Sequence, residues 1–285
     1  MGLASRTVEA GLRARGLSAV AVIPARDEEA TVGTVVGPLV HHLVQSGMLA
    51  EVVVVDDGST DRTGARARAA GARVVRAADV LAGHGGSGKG GAMWRGLAAT
   101  TADLVVYLDA DLVDLDPDTV PRLLQPLVED PTASLVKGTW RRPLGDDPDG
   151  GGRVTELMAR PLLARFFPEL SFVRQPLAGE YAGTRLLLER LPYLAGWGVD
   201  VGLLLDAAAL VGTAAIRQVD LGTRHHRHHR LAELAVPAAT VLLAVFDRAG
   251  LTGGPLVLDG VDVRLDELPP LATLLARTDR PLLAP

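Results

Sequence analysis

Cysteine is absent from all 285 residues, which excludes a disulfide scaffold, a thiolate zinc site and a cysteine nucleophile, and leaves the redox compartment open. A surplus of positive charge is missing too. The 29 Lys and Arg stand against 34 Asp and Glu, a formal charge of −5, so nothing draws the whole chain to nucleic acid or anionic lipid. Any anion site must be local, and no nucleic-acid partner is expected. Long apolar runs are also lacking. The longest, Leu234–Phe246, contains Pro237 and is too short to cross about 30 Å of hydrocarbon. It reads as a buried helix, and no membrane partner is expected. The N-terminal MGLASRTVEAGLRARGLSAVAVIPARDEE shows no basic stretch leading into an apolar run and a small-residue cleavage site, which makes the cytoplasm the expected location. What is present is 48% hydrophobic residues, enough to build the core of one large domain or two small ones.

Three Val-rich segments end in turn or acidic residues: Ala19–Pro24, Glu51–Asp56 and Leu104–Asp109. Their apolarity is continuous rather than alternating, which suits strands covered on both faces. Helical stretches follow at Ala30–Ser46, Thr60–Ala70 and Gly90–Thr100, so strand and helix alternate. That order predicts an α/β fold with a mostly parallel, doubly wound sheet, whose ligands bind beyond the carboxyl ends of the strands. The second half predicts helices at Arg153–Phe167, Leu186–Leu194 and Asp200–Val211, a strand at Ala214–Leu221 and a flexible loop at Gly145–Gly152. Beyond Gly250 a short hairpin around Asp259-Gly260 and a helix near Leu271 are expected, and no chemistry is assigned to that tail.

The polar residues after each strand carry the candidate chemistry. Asp109-Ala110-Asp111 would share one face if the strand continued and be splayed by a turn, leaving one carboxylate for a nucleotide and the other for a metal. Mg²⁺ or Mn²⁺ takes oxygen ligands and keeps waters and phosphate oxygens, so one or two carboxylates suffice. Asp56-Asp57-Gly58-Ser59-Thr60-Asp61 turns at Gly58 and offers Ser59 or Thr60 as the cap of the next helix, with the carboxylates available to a ribose or base. Gly83–Gly90 nearly matches a phosphate loop but has Gly90 where a hydroxyl should meet Mg²⁺, and no apolar strand leads into it. Gly88-Lys89-Gly90 is therefore either a local anion site at a helix start or a linker. Gly151-Gly152-Arg153-Val154-Thr155-Glu156 poses the same choice with a second set of donors. The run Arg224–Arg230 offers an imidazole to a metal and arginines to phosphates, or is a solvated loop; its histidines alone cannot converge on one zinc.

Together these residues resemble the glucosyl-3-phosphoglycerate synthases, retaining glycosyltransferases of the GT-A fold, over about Val20 to Gly250. Val22-Ile-Pro-Ala-Arg-Asp-Glu-Glu29, Asp57-Gly-Ser-Thr-Asp61 and Asp109-Ala-Asp111 are shared with many GT-A enzymes. Gly88-Lys-Gly90, Gly150-Gly-Gly-Arg-Val-Thr-Glu-Leu157, Gln175-Pro-Leu-Ala-Gly-Glu-Tyr181, Gly196-Trp-Gly-Val-Asp200 and Arg224-His-His-Arg227 are particular to this family. The resemblance implies a metal-dependent glucosyl transfer from UDP-glucose to 3-phosphoglycerate, Mg²⁺ or Mn²⁺ as cofactor, and a homodimer, with the Leu231–Phe246 helix as a candidate interface. It implies that Pro24, Ala25 and Glu28 contact the uridine, that Asp57, Lys89 and Ala110 line the nucleotide site, and that Asp109 sits beside the ribose. Asp111 and His226 would bind the metal. Leu177, Ala178, Trp197 and Asp200 would surround the sugar, with Asp200 where the family usually has Glu and Trp197 where it usually has Tyr. Gly152, Arg153, Thr155 and His228 would hold the acceptor, and Lys89, Arg224 and Asp200 would serve catalysis. The division that follows is a domain over residues 1–250, with a nucleotide-sugar half near 18–141 and an acceptor half near 142–250, and a tail over 251–285. Rival readings are a mannosyl-3-phosphoglycerate synthase using GDP-mannose, a polyprenyl-phosphate glycosyltransferase, a nucleotidyltransferase and a non-catalytic nucleotide-sugar binder.

Overall fold

The computed structural model describes residues 3–113, 115–143, 147, 150–224, 230–251 and 253–275. Helix α1 (Leu3–Arg15) leads into β1 (Ala19–Ala25), α2 (Val32–Leu39), β2 (Glu51–Asp56), α3 (Thr63–Ala69), β3 (Arg73–Arg76), α4 (Lys89–Ala98), β4 (Leu104–Tyr107), α5 (Thr119–Glu129) and β5 (Leu135–Arg141). The second half adds α6 (Arg160–Phe166), β6 (Tyr181–Thr184), α7 (Arg185–Leu188), β7 (Tyr193–Leu194), α8 (Val199–Val211), β8 (Ile216–Thr223) and α9 (Ala235–Arg248). The chain closes with β9 (Leu256–Leu258), β10 (Val261–Val263), β11 (Glu267–Leu268) and α10 (Leu271–Leu275).

One seven-stranded sheet in the order β3-β2-β1-β4-β6-β5-β8 runs through both halves. Its pairs are parallel except where β6 runs against β4 and β5, so the expected mostly parallel sheet is present. Alternate residues explain the continuous apolar strands. Val20 and Val22 face a core built with α4, α6, α8 and α9, whereas Ala19, Ala21 and Ile23 face a second core built with α1, α2 and α5. Strands β1, β2 and β4 are thus buried on both faces, as a parallel sheet between helical layers requires.

Several local expectations are corrected. The helix read over Ala30–Ser46 is α2 followed by a wider π turn at Val40–Val44, and the one read over Arg153–Phe167 is a π turn at Thr155–Ala159 followed by α6. Of Leu186–Leu194 only Leu186–Leu188, the end of α7, is helical, because the chain extends again into β7, which pairs with β11 of the tail. Leu104–Asp109 ends as a strand at Tyr107, so Asp109 and Asp111 stand on the following turn. The hairpin at Asp259-Gly260 and the helix at Leu271 are present. Strands β3, β5 and β6 were not expected. β6 is short and contains glycine, and β5 carries Lys137 and Gly138 in mid-strand, so neither reads as a buried strand locally. Among the described residues no helix is long and apolar enough to cross a membrane.

Candidate active site

The ends of β1 and β2 are clasped by their own acidic loops. Asp27, at φ 55, accepts from Thr60 N at 2.7 Å, and Ser59 Oγ accepts from Asp27 N. Asp61 accepts from Thr63 N and Glu29 N, and Asp56 accepts from Ser59 N. Ser59 and Thr60 therefore do not cap α3, as the sequence suggested; Asp61 satisfies its first turn instead. This clasp leaves Glu28 and Asp57 to face a cavity of about 370 Å³ at the carboxyl ends of β1, β2 and β4.

Into that cavity the fold also brings Pro24, Ala25, Lys89, Asp109, Ala110, Asp111 and Trp197, the last 59% exposed at its rim. The first turn of α4 closes one wall. Gly88, at φ 97, donates its N–H to Asp57 at 2.7 Å, and a Cβ on Gly90 would fall 1.9 Å from the Leu194 carbonyl oxygen. Only glycine lets the helix start so close to the chain before α8. Lys89, next in line, places Nζ 2.9 Å from Asp109 and 2.9 Å from Asp200. Burial alone would lower its pKa, but the two carboxylates outweigh that and raise it, so the ammonium stays charged. The same attraction, from Lys89 first and Arg224 next, overcomes burial at Asp109 and holds its carboxyl well below the usual range.

Arg224, at the end of β8, is the second buried cation. It donates to Asp111 at 3.1 Å, to Glu180 at 2.7 Å and, at 3.5 Å, to Asp109. Burial and then the charge of Asp109 raise the pKa of Asp111, so a further cation beside it would be favoured. Glu180, with no exposed surface, also accepts from Trp140 Nε1 at 2.9 Å. It lies inside a quoted motif but received no role from the sequence, because its burial depends on β5 and β8. Leu177 and Ala178 lie behind this network rather than along the cavity; the Ala178 carbonyl accepts from Lys137 Nζ at 2.6 Å. His226 and His228 lie outside the described residues.

Beyond Trp140 and Glu180 a second cavity, about 550 Å³, is lined by Gly152 and Thr155 together with Arg141, Arg142, Arg160 and Arg174. Four arginines face two carboxylates there, Glu156 and Asp220. Arg153 sits on the same turn but is not part of the lining. None of these four arginines was singled out in the sequence, since Arg141-Arg142, Arg160 and Arg174 come from a strand end, a helix and a loop far apart along the chain, with no spacing signal to join them.

Lys137 is a further buried charge. Its ammonium lies 4.2 Å from the centre of the Tyr181 ring, and burial pushes it down to about 8 against the attraction of Asp200. Because the unfolded lysine titrates near about 10.4, the unfolded chain holds the proton more tightly between those two values. Stability is therefore expected to rise with pH from 8 to 10, by up to about 1.4 kcal/mol per pH unit, and this rise is expected to vanish in Lys137→Met. Urea unfolding of both proteins at pH 7.5 and 9.5 measures it; equal pH slopes would reject the depressed lysine.

A mostly parallel sheet with an acidic cavity at its carboxyl ends, a charged lysine at a helix start and a cationic cavity alongside defines a GT-A glycosyltransferase, a class that works on nucleotide sugars. The family profile described as Glycosyl transferase family 2 matches residues 20–190. The chain is 45% identical over 271 residues to glucosyl-3-phosphoglycerate synthase of Mycolicibacterium smegmatis, spanning 93% of this chain and 89% of that one. It is 39% identical over 236 residues to the synthase of Petrotoga mobilis, spanning 80% and 73%. It is also similar, at a TM-score of 0.87 and 41% identity over 96% of both chains, to the crystal structure of glucosyl-3-phosphoglycerate synthase from Mycobacterium tuberculosis in complex with Mn²⁺, uridine-diphosphate-glucose and phosphoglyceric acid. The chain belongs to glycosyl transferase family 2, among the glucosyl-3-phosphoglycerate synthases.

Proposed function

We propose that the protein transfers glucose from UDP-glucose to 3-phosphoglycerate with retention, giving glucosyl-3-phosphoglycerate and UDP. The observation that carries this reading is the pair of cavities of opposite character meeting across Trp140, Glu180 and Arg224. The first is lined by Glu28, Asp57, Asp109 and Asp111 against Lys89 and Arg26, too acidic for a diphosphate unless a cation accompanies it. Asp111 Oδ1 is held by Arg224 and its side chain is 45% exposed, which suits a divalent-ion ligand. Asp111 would hold Mg²⁺ or Mn²⁺ together with His226, as the family resemblance implies, and the diphosphate itself. When bound, such an ion stabilises the negative charge of the departing diphosphate.

The chain's own residues do the rest. Pro24, Ala25, Glu28, Asp57, Asp109 and Ala110 hold the nucleotide, and Trp197 walls the sugar. Lys89 and Arg224 add fixed positive charge where the leaving group develops its own. Asp200 Oδ2 is held by Lys89, whereas Oδ1 is buried without a partner among the described residues, an acceptor suited to a sugar hydroxyl. Leu177 and Ala178 back that sugar site. Gly152, Arg153 and Thr155, with His228, hold the acceptor, so its hydroxyl approaches on the face the diphosphate leaves and that diphosphate takes the proton. Residues 18–141 then serve mainly the donor and 142–250 the acceptor, within a homodimer in the cytoplasm. Helix α9 buries Val241, Ala244 and Val245 inside its own chain, so it can offer a dimer only its outer face. The test is product analysis with UDP-glucose and GDP-mannose, each with 3-phosphoglycerate and Mn²⁺. Glucosyl-3-phosphoglycerate from UDP-glucose is expected; transfer only from GDP-mannose, free pyrophosphate or no product would overturn the reading.

A further inference from the structure

The acceptor cavity contains a guanidinium that none of the sequence motifs singled out. Arg142 directly follows β5, and the two glycines of the neighbouring turn are shaped around it. Gly151 donates its N–H to the Arg142 carbonyl at 2.8 Å, and a Cβ on Gly151 would stand 2.6 Å from that same oxygen. A Cβ on Gly152 would stand 3.8 Å from Arg142 Nη1, so the guanidinium passes beside the turn and into the cavity it lines. Its Nε is buried and has no hydrogen-bond partner among the described residues. A buried donor left unpaired costs about 1–3 kcal/mol, a cost that a bound anion would remove. Arg142 also stands toward the donor side: it comes two residues after Trp140, whose Nε1 donates to Glu180 at 2.9 Å, and Glu180 accepts from Arg224, which reaches Asp109 and Asp111.

Resting on the proposed acceptor, we infer that Arg142 pairs with the carboxylate of 3-phosphoglycerate, while the turn at Gly152, Arg153 and Thr155 takes its phosphate. The chemistry of the acceptor sets this order. The attacking hydroxyl is on C2, directly bonded to the carboxylate carbon, whereas the phosphate ester hangs from C3. The carboxylate therefore lies nearer the anomeric carbon, on the side of the cavity where Arg142 follows Trp140 and its partner Glu180. A planar guanidinium binds a carboxylate through two parallel N–H bonds, which also fixes the direction of the C2 hydroxyl.

Arg142→Met and Arg142→Lys are compared with the wild type on 3-phosphoglycerate and on glycerol 3-phosphate, which keeps the phosphate and lacks the carboxylate. Glycerol 3-phosphate is followed as acceptor or, if it is not turned over, as competitive inhibitor. Arg142→Met is expected to lower kcat/KM for 3-phosphoglycerate about 100-fold. Arg142→Lys should recover only part of this, because an ammonium lacks the fork. The constant for glycerol 3-phosphate and the Kd of UDP should change less than about 3-fold. Equal losses on both compounds, no loss on either, or weakened UDP binding would overturn the inference. A wild type that transfers nothing to 3-phosphoglycerate would instead overturn the proposed function.

Discussion

Asp111→Ala is expected to lower metal-dependent transfer by at least about 10²- to 10³-fold while leaving the protein folded. The side chain is 45% exposed on the turn after β4, so its removal opens no core cavity. Its partner Arg224 keeps Glu180 at 2.7 Å and the longer contact to Asp109, so no buried cation is stranded. What disappears is an exposed carboxylate beside which a further cation is favoured. Transfer assayed by UDP release across a Mn²⁺ titration, with Mn²⁺ binding followed by electron paramagnetic resonance, separates the two effects. Activity within about 3-fold of wild type at the same Mn²⁺ concentration would remove Asp111 from the metal site. Unchanged Mn²⁺ affinity with lost activity would give it another role.

Lys89→Met is expected to damage both stability and catalysis. The methionine keeps the length of the stem, but the Asp109 and Asp200 carboxylates, each 2.9 Å from Nζ, lose the charge they share. Removing one partner from a buried ion pair costs about 3–5 kcal/mol, because the other charge is left uncompensated. Turnover should fall about 100-fold or more, since in the proposed reaction the same ammonium would face the leaving diphosphate. The sign of the pH dependence follows from Asp109. Its folded pKa is depressed, so in the wild type it contributes stability that is fully present above the unfolded value near about 4 and is lost as pH falls through the folded value. Without Lys89 that depression weakens and the stranded Asp109 carboxylate protonates more readily. The stability gap between variant and wild type is thus expected to be widest at neutral pH and to narrow on acidification below about pH 5. Guanidinium unfolding at pH 7.5 and pH 4.5 reads it, and a gap that is constant or widens toward acid would contradict the shared-charge arrangement.

The donor half was legible to a degree the acceptor half was not. Val-rich runs at Ala19, Glu51 and Leu104 announce buried strands because each residue contributes apolar surface to one core or the other, and acidic turns mark their ends. Glu28, Asp57, Asp109 and Asp111 reach the cavity as those strand ends imply. Yet Asp27, Asp56 and Asp61, equally acidic and only a few positions away, are spent on clasping two loops. Spacing alone does not separate the two sets. In the second half, β5 hides Lys137 and ends beside Arg142, and β6 follows Glu180, residues whose polarity argues against the strands and the core that hold them.

By itself, then, the sequence determined the alternating fold, the acidic strand ends and, through its motifs, the family, because all of these are written in residues close together along the chain. Only the tertiary structure decided which charges are buried and what each one faces. Lys89 meets Asp200 from 111 positions away, and Arg224 meets Asp111 from 113. A charge can remain inside the protein only where the fold delivers its partner. No local pattern encodes that delivery, so the ion network between the two cavities, and the place of Arg142 in the lining of the second, became visible only in three dimensions.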